Sequence, residues 1–201
     1  MNLKSCRESR VEKDTLMPMS GHCRLVRLAC ILSLSWWDGV MVELPIRDRA
    51  GNALIEFRFV TEDELGRLGK QVPVPASLVV AIHAQAVLLI FDSRRRHWEL
   101  PGGMREAGES PREAAARELG EETGIHGVDL SFAAVAEFDL TKPERRELLA
   151  VYRVQLQVVP RLTVNDEALD FRWWSPSEPV SEDMSPLDAE IARRVVHSSS
   201  S

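Results

Sequence analysis

Three glutamates, Glu118, Glu121 and Glu122, stand at i, i+3 and i+4 in the run Arg117-Glu118-Leu119-Gly120-Glu121-Glu122-Thr123-Gly124-Ile125. On a helix these positions share a face. Like charges so placed repel, each pair by roughly 0.2–0.5 kcal/mol in an isolated helix. A divalent cation would reverse the sign. Carboxylate oxygens on a rigid element suit a hard ion such as Mg²⁺ or Mn²⁺, which binds through a few carboxylates together with substrate phosphates and water. Arg117, one turn before Glu121, can orient a carboxylate through its two-pronged guanidinium. The plainer alternative is a solvated acidic face, to which an isolated E-x-x-E-E would default. The surroundings argue against it. Glu109 precedes the helix, Pro101-Gly102-Gly103 lets the backbone come close to a ligand, and the helix start offers free NH groups to anions.

The helix that must carry these residues is written in its ends. Ser110-Pro111-Arg112-Glu113 reads as a reciprocal capping box between Ser110 and Glu113. Pro111 falls at the first helical position, where its missing NH does no harm. Gly124 fits the C-terminal stop. The stretch between them makes about four turns, rich in Ala and Glu, both good helix formers. Ala115, Leu119 and Thr123 form the opposite face, expected to be buried.

From Gly103 to Ile125 the chain resembles the Nudix box, G-x5-E-x7-R-E-U-x-E-E-x-G-U with U a bulky aliphatic, at every specified position over 23 residues. The resemblance implies an α/β/α sandwich with a mixed β-sheet. It also implies hydrolysis of a nucleoside diphosphate linked to another group, with water attacking phosphorus and Mg²⁺ or Mn²⁺ assisting. Carried over by motif position, Glu118, Glu121 and Glu122 are the metal ligands and the backbone carbonyl of Gly103 a further one. Glu118 or a neighbour also serves as base, while Arg117 and Glu109 hold loop and helix together. Glu118, Glu121, Arg117 and Glu109 are thus the catalytic candidates. A later acidic residue often completes such sites. Val164-Asn165-Asp166-Glu167, ahead of Phe171-Arg172-Trp173-Trp174, offers Glu167, with Asp166 as the alternative and an ordinary exposed loop as the rival reading.

Composition bounds the rest. The chain has 201 residues, enough for one domain with tails. A net charge of −6 argues against a nucleic-acid polymer as partner. Cys6, Cys23 and Cys30 all fall in the first 30 residues, odd in number and matching no zinc spacing. The catalytic region needs no disulfide and suits a reducing cytoplasm. Leu28 to Trp37, after Arg24 and Arg27, resembles a weak signal-peptide core but is too short to span a membrane. Residues 1–40 therefore read as a poorly ordered extension or a mis-assigned start. Residues 41–197 read as the catalytic domain and 198–201 as a disordered tail.

From Val40 onward the pattern is regular. Strands are expected at Ala53–Val60 (with Ile55, Phe57 and Phe59 on one face), Leu78–Ala84, Ala86–Phe91, Trp98–Leu100, Val128–Asp139, Glu147–Val159 and Phe171–Trp174. Thr61-Glu62-Asp63-Glu64 starts a short helix ending near Gly69, and Pro73-Val74-Pro75 looks like a linker. Ser185-Pro186 opens a last helix to about Val196. Strands and helices in this order give a mixed sheet with helices on its faces.

Outside the box, Arg94, Arg95 and Arg96 precede the glycine loop and could hold phosphates; each has a solvated turn as its plainer reading. Arg94, Arg96 and Arg105 are the substrate-binding candidates. Arg145 and Arg146 pose the same choice. His83 reads as a satisfied core residue, and His97 and His126 as surface loop residues. Trp98, Trp173 and Trp174 could stack a base, with core packing the default for Trp98 and Trp173. The expected partner is a small nucleotide, with no membrane and with a homodimer compatible with the family. The first substrate reading is a (deoxy)nucleoside triphosphate, 8-oxo-dGTP among them. The alternative is ADP-ribose or a nucleotide sugar, although the nearest proline, Pro143, lies 18 residues after Ile125 rather than the 16 of many ADP-ribose members. A non-catalytic nucleotide-sensing module is the rival of another class.

Overall fold

A computed structural model of the chain describes residues 42–198. The readings of residues 1–40, with their three cysteines, and of 199–201 lie outside the described residues. Ser198, assigned above to a tail, is the last residue of a helix, and its Oγ donates to Val195 O at 2.9 Å.

The sheet has nine strands: β1 (Ile46–Arg47), β2 (Ala53–Arg58), β3 (Ala76–His83), β4 (Ala86–Asp92), β5 (Trp98–Glu99), β6 (Gly102–Met104), β7 (Ser131–Thr141), β8 (Glu144–Gln155) and β9 (Ala168–Trp174). Helices α1 (Glu62–Leu68), α2 (Pro111–Thr123) and α3 (Pro186–Ser198) complete the fold. The order runs β1-β2-β7-β8-β3-β4-β5, with β6 on β3 and β9 on β4. Only β3 and β8 pair in parallel, from Ala76↔Leu149 to Ile82↔Gln155; the other pairs are antiparallel. The sheet is therefore mixed.

Period-two patterning sorts the core into two layers. Val79, Ala81, Val135, Leu148, Ala150 and Tyr152 face α1 and α2, meeting Leu65, Ala115 and Leu119. Val80, Ile82, Ala134, Ala136 and Val151 face α3, meeting Leu187, Ile191, Ala192 and Val195. This is an α/β/α sandwich. Tyr152, as expected, is core.

What positions the site is a split in the sheet. Along its second edge β3 carries β6 on its first three residues (Ala76–Leu78) and β4 only on its last two (Ile82–His83). Between them Val79 N donates to Pro101 O at 2.8 Å. Beyond the hairpin β4 turns to pair with β9 and β5. The glycine loop enters this split, and α2 follows it.

Some strand expectations shift. β6 was read as loop, because two glycines in three residues leave no pattern. Phe59 lies beyond β2 and is 55% exposed, since the strand ends at Arg58 after a register shift at Leu54/Glu56. β7 starts at Ser131, and Val158, beyond the end of β8, is 74% exposed. Pro73-Val74-Pro75 is fastened rather than loose: Pro73 O accepts from Leu148 N and Pro75 O from Arg105 N, at 2.8 and 2.7 Å.

Candidate active site

Helix α2 forms where its ends predict. Ser110 Oγ accepts from Glu113 N at 3.2 Å and Glu113 Oε2 from Ser110 N at 2.8 Å. Gly124 stops the helix in the left-handed conformation (φ 81°), which suits glycine. Ala115, Leu119 and Thr123 are buried.

Arg117 joins this helix to the loop before it. Its Nε and Nη2 hold the two oxygens of Glu109 at 3.0 and 3.1 Å, and Nη2 also reaches Met104 O at 2.9 Å. Nη1 lies between Glu118 Oε1 (2.9 Å) and Glu121 Oε2 (3.0 Å). Glu109 Oε2 in turn accepts from Glu106 N at 2.8 Å. With these bonds, the Glu109 carboxyl is held below the usual carboxylate range, first by Arg117 and then by the Glu106 NH. The Arg117 guanidinium is held more firmly charged, chiefly through Glu109.

The three glutamates differ in environment. Glu121 is exposed. Glu118 lies against the glycine loop: a Cβ on Gly103 would come within 2.5 Å of Glu118 Oε1. Glu122 is 5% exposed and accepts from Gly102 N at 2.8 Å. Gly102 has a φ of 150°, and a side chain there would collide with the Ser77 carbonyl. Burial pushes Glu118 upward against the pull of Arg117. Burial pushes Glu122 up to about 8, and nearby Glu118, Glu99 and Glu167 add to it while the Gly102 NH opposes.

The late loop reaches the same place through a residue the sequence reading passed over. Asn165 Nδ2 donates to the carbonyls of Glu121 (2.8 Å) and Glu122 (3.2 Å), which a helix end leaves without intrahelical partners. Its Oδ1 accepts from Glu167 N (2.9 Å) and Ala168 N (2.8 Å). Asn165 thus ties the loop to the end of α2 and brings Glu167 within electrostatic reach of Glu118 and Glu122. The Asn-Asp-Glu run was a signal, since such side chains bond backbone two residues on. Asp166 is exposed.

Among the described residues no three His, Cys, Asp or Glu side chains are gathered at metal-ligand spacing. The carboxylates are drawn to Arg117 and to the Gly102 NH instead. The donor set nonetheless fits a hard ion. It consists of carboxylate oxygens on one helix end, two of them electrostatically strained, with Arg117 the cation between Glu118 and Glu121.

The arginine candidates separate. Arg94 Nη2 bonds Glu167 Oε1 at 3.2 Å, beside the site. Arg96 stacks on Phe91, 5.2 Å from the ring centroid. Arg105, expected to meet substrate, instead braces the loop. Its guanidinium donates to Val74 O at 2.8 Å and to Glu109 O at 3.0 Å. Arg145 and Arg146 pair with Glu147 and with Glu137 and Asp139. His97 is no loose surface residue: Nε2 meets the buried Glu99 at 2.8 Å, and that bond raises its pKa despite burial. Arg95 takes the other Glu99 oxygen at 2.6 Å. His83 Nδ1 meets Leu156 O at 3.1 Å. Trp174 is fully buried and packs as core, so it offers no face to a base.

Residues 72–195 match the family model described as NUDIX domain. The chain belongs to that family. As a Nudix hydrolase it is an enzyme. The phosphatase NudJ of Escherichia coli (strain K12) is 29% identical over 124 residues, covering 58% of this chain and 80% of that protein. A MutT protein from Methanosarcina mazei Go1 superimposes with a TM-score of 0.53 at 23% identity, over 65% of this chain and 99% of that one. The E. coli dihydroneopterin triphosphate pyrophosphohydrolase gives 0.51 at 19% identity, over 61% and 92%. These two likenesses are of fold. Among the described residues no helix of this Nudix hydrolase is long and apolar enough to cross a membrane.

Proposed function

We propose that this chain hydrolyses a nucleoside diphosphate linked to another group, with Mg²⁺ or Mn²⁺, and that its first substrate class is a (deoxy)nucleoside triphosphate, cut to the monophosphate and pyrophosphate. One observation carries the reading: Arg117 locks Glu109 of the loop to Glu118 and Glu121 of the helix, while Glu122 is anchored on Gly102. A purely structural helix has no use for three crowded carboxylates at its C-terminal end, where the dipole opposes them. The names of the relatives, a phosphatase and a triphosphate pyrophosphohydrolase, support it.

Glu118, Glu121, Glu122 and the Gly103 carbonyl would hold the metal, with Glu167 completing the set. The ion supplies positive charge to the phosphate oxygens and lowers the pKa of a bound water. The chain's own residues do the positioning. Arg117 and Glu109 fix loop against helix, Asn165 fixes the late loop, and Arg105 braces the turn from Met104 to Glu109. Glu118, its carboxyl raised toward neutrality, is suited to take the proton of the attacking water.

Phosphate and pyrophosphate release should be measured with Mg²⁺ across nucleoside triphosphates, 8-oxo-dGTP, ADP-ribose and nucleotide sugars, for the wild type and for Glu121→Gln. Pyrophosphate from triphosphates, lost in the variant, is the expected result. Binding without turnover of any compound would sink the proposal in favour of a sensor.

A further inference from the structure

A recess of about 750 Å³ lies between the β1–β2 turn, the turn from Asp92 to His97, and the segment Val180–Pro186 that leads into α3. It is of small-molecule size. Arg47, Arg49, Arg95, Arg96 and His97 line it. The acidic groups of its wall are mostly engaged. Asp48 accepts from Asn52 N and Nδ2 at 2.9 and 2.8 Å, and Asp183 from Ser181 Oγ at 2.6 Å, while Glu182 is exposed. Arg95 is committed to Glu99.

Arg47, Arg49 and Arg96 form no ion pair among the described residues. Elsewhere arginines are mostly matched to carboxylates, as at Arg58, Arg94, Arg112, Arg117, Arg146 and Arg194. Three unmatched guanidinium groups around one recess repel one another unless an anion enters. Arg96 also holds a left-handed backbone (φ 58°), an uncommon state for a residue with a side chain and one that recurs at ligand sites.

We propose that this recess binds a phosphate of the substrate other than the pair between which the acidic site cuts. The inference rests on the hydrolase reading above. The planar fork of arginine matches phosphate oxygens. The link between the sites is the β4–β5 turn. Arg94 pairs with Glu167 at the acidic end, and Arg96, two residues on, lines the recess. Their Cα atoms are at most about 7 Å apart, a distance one polyphosphate can cover. The phosphate is either the terminal one of a nucleoside triphosphate or that of a second nucleotide in a dinucleoside polyphosphate. A nucleotide sugar has neither.

The test uses the full chain. Inorganic phosphate and pyrophosphate are titrated in EDTA by calorimetry, with wild type, Arg47→Ala/Arg49→Ala, the single variant Arg49→Gln in case the pair misfolds, and Arg67→Ala as control. The double variant should bind phosphate about 10- to 100-fold more weakly, as expected for losing charge-assisted hydrogen bonds, with Arg67→Ala unchanged. With Mg²⁺, KM for the phosphate-rich substrate should rise by a similar factor while kcat holds. KM for a nucleotide sugar should stay put. A rise confined to triphosphates identifies the terminal phosphate; one confined to dinucleoside polyphosphates identifies the second nucleotide. Unchanged phosphate affinity in the variants, or equal KM changes for sugars and triphosphates, overturns the proposal. If the wild type cleaves nothing yet phosphate binding still depends on Arg47 and Arg49, the hydrolase reading fails and the phosphate site stands.

Discussion

Helices α1 and α2 begin alike and end as opposites. Each opens on a reciprocal capping box, Thr61 with Glu64 and Ser110 with Glu113. Each is rich in glutamate. In α1 the acids Glu62, Asp63 and Glu64 occupy the first turn, where the positive end of the helix dipole favours them. Glu62 there also accepts from Arg112 and from the Tyr152 hydroxyl, both at 2.6 Å. In α2 the acids Glu118, Glu121 and Glu122 crowd the last turns, where the dipole opposes them, and no basic residue lies in the final turn. The first arrangement lowers the energy of the folded chain. The second raises it, and such a cost points to a ligand rather than to the fold.

The largest expected effect tests that contrast directly. Glu122→Gln keeps an oxygen for the Gly102 NH but removes a buried charge. Turnover should fall by about 100-fold or more, the scale of losing a positioned catalytic group. Stability without metal should hold or rise, on the order of 1 kcal/mol, or about 2–4 °C in Tm for a chain of this size. Steady-state kinetics beside thermal unfolding in EDTA gives both numbers. A variant that keeps its activity, or one that loses several degrees, would make Glu122 an ordinary structural residue.

The comparison also explains what could be read in advance. The limits of α2 were legible because Ser110, Pro111, Glu113 and Gly124 act within a few residues of one another. The same holds for α1 and for the buried run of β4. The role of Arg105 was not, because its partners are backbone carbonyls of Val74 and Glu109, and a carbonyl has no letter in the sequence. His97 was misjudged because its partner Glu99 becomes a buried acid only when β5 enters the sheet. Asn165 acts on the end of α2 from more than forty residues away. The arginine recess joins the β1–β2 turn to the approach to α3, and no local pattern marks such a meeting.

Arg117 is the second test. It alone offsets charge on α2 and on the loop, so Arg117→Met should cost about 2 kcal/mol, the range for hydrogen bonds to charged groups. It should also loosen the loop from Met104 to Glu109. Urea unfolding gives the first, and amide exchange at Glu106 the second. On α1 the matching change, Arg112→Met, leaves Glu62 its Tyr152 hydroxyl and its dipole position, so the loss should be smaller. Equal losses from the two variants would erase the distinction drawn between the helices.

The smallest effect concerns α1 and pH. Burial pushes Glu62 upward, but the bonds from Arg112 and Tyr152 outweigh it and leave its pKa below the ordinary 4.5. A carboxylate whose pKa is depressed by folding adds stability above its unfolded pKa and gives it up as pH falls through the folded one. Glu62→Gln should therefore be less stable than wild type near pH 7. The gap should be a few tenths to about 1 kcal/mol, since solvent screens a partly exposed pair. It should narrow below pH 4.5 and close once the wild-type carboxyl is protonated. Activity with saturating Mg²⁺ should not change, because Glu62 serves the fold and touches nothing in the acidic site. A gap that widens toward acid would mean Glu62 is strained like the glutamates of α2, and the two helices would no longer be opposites.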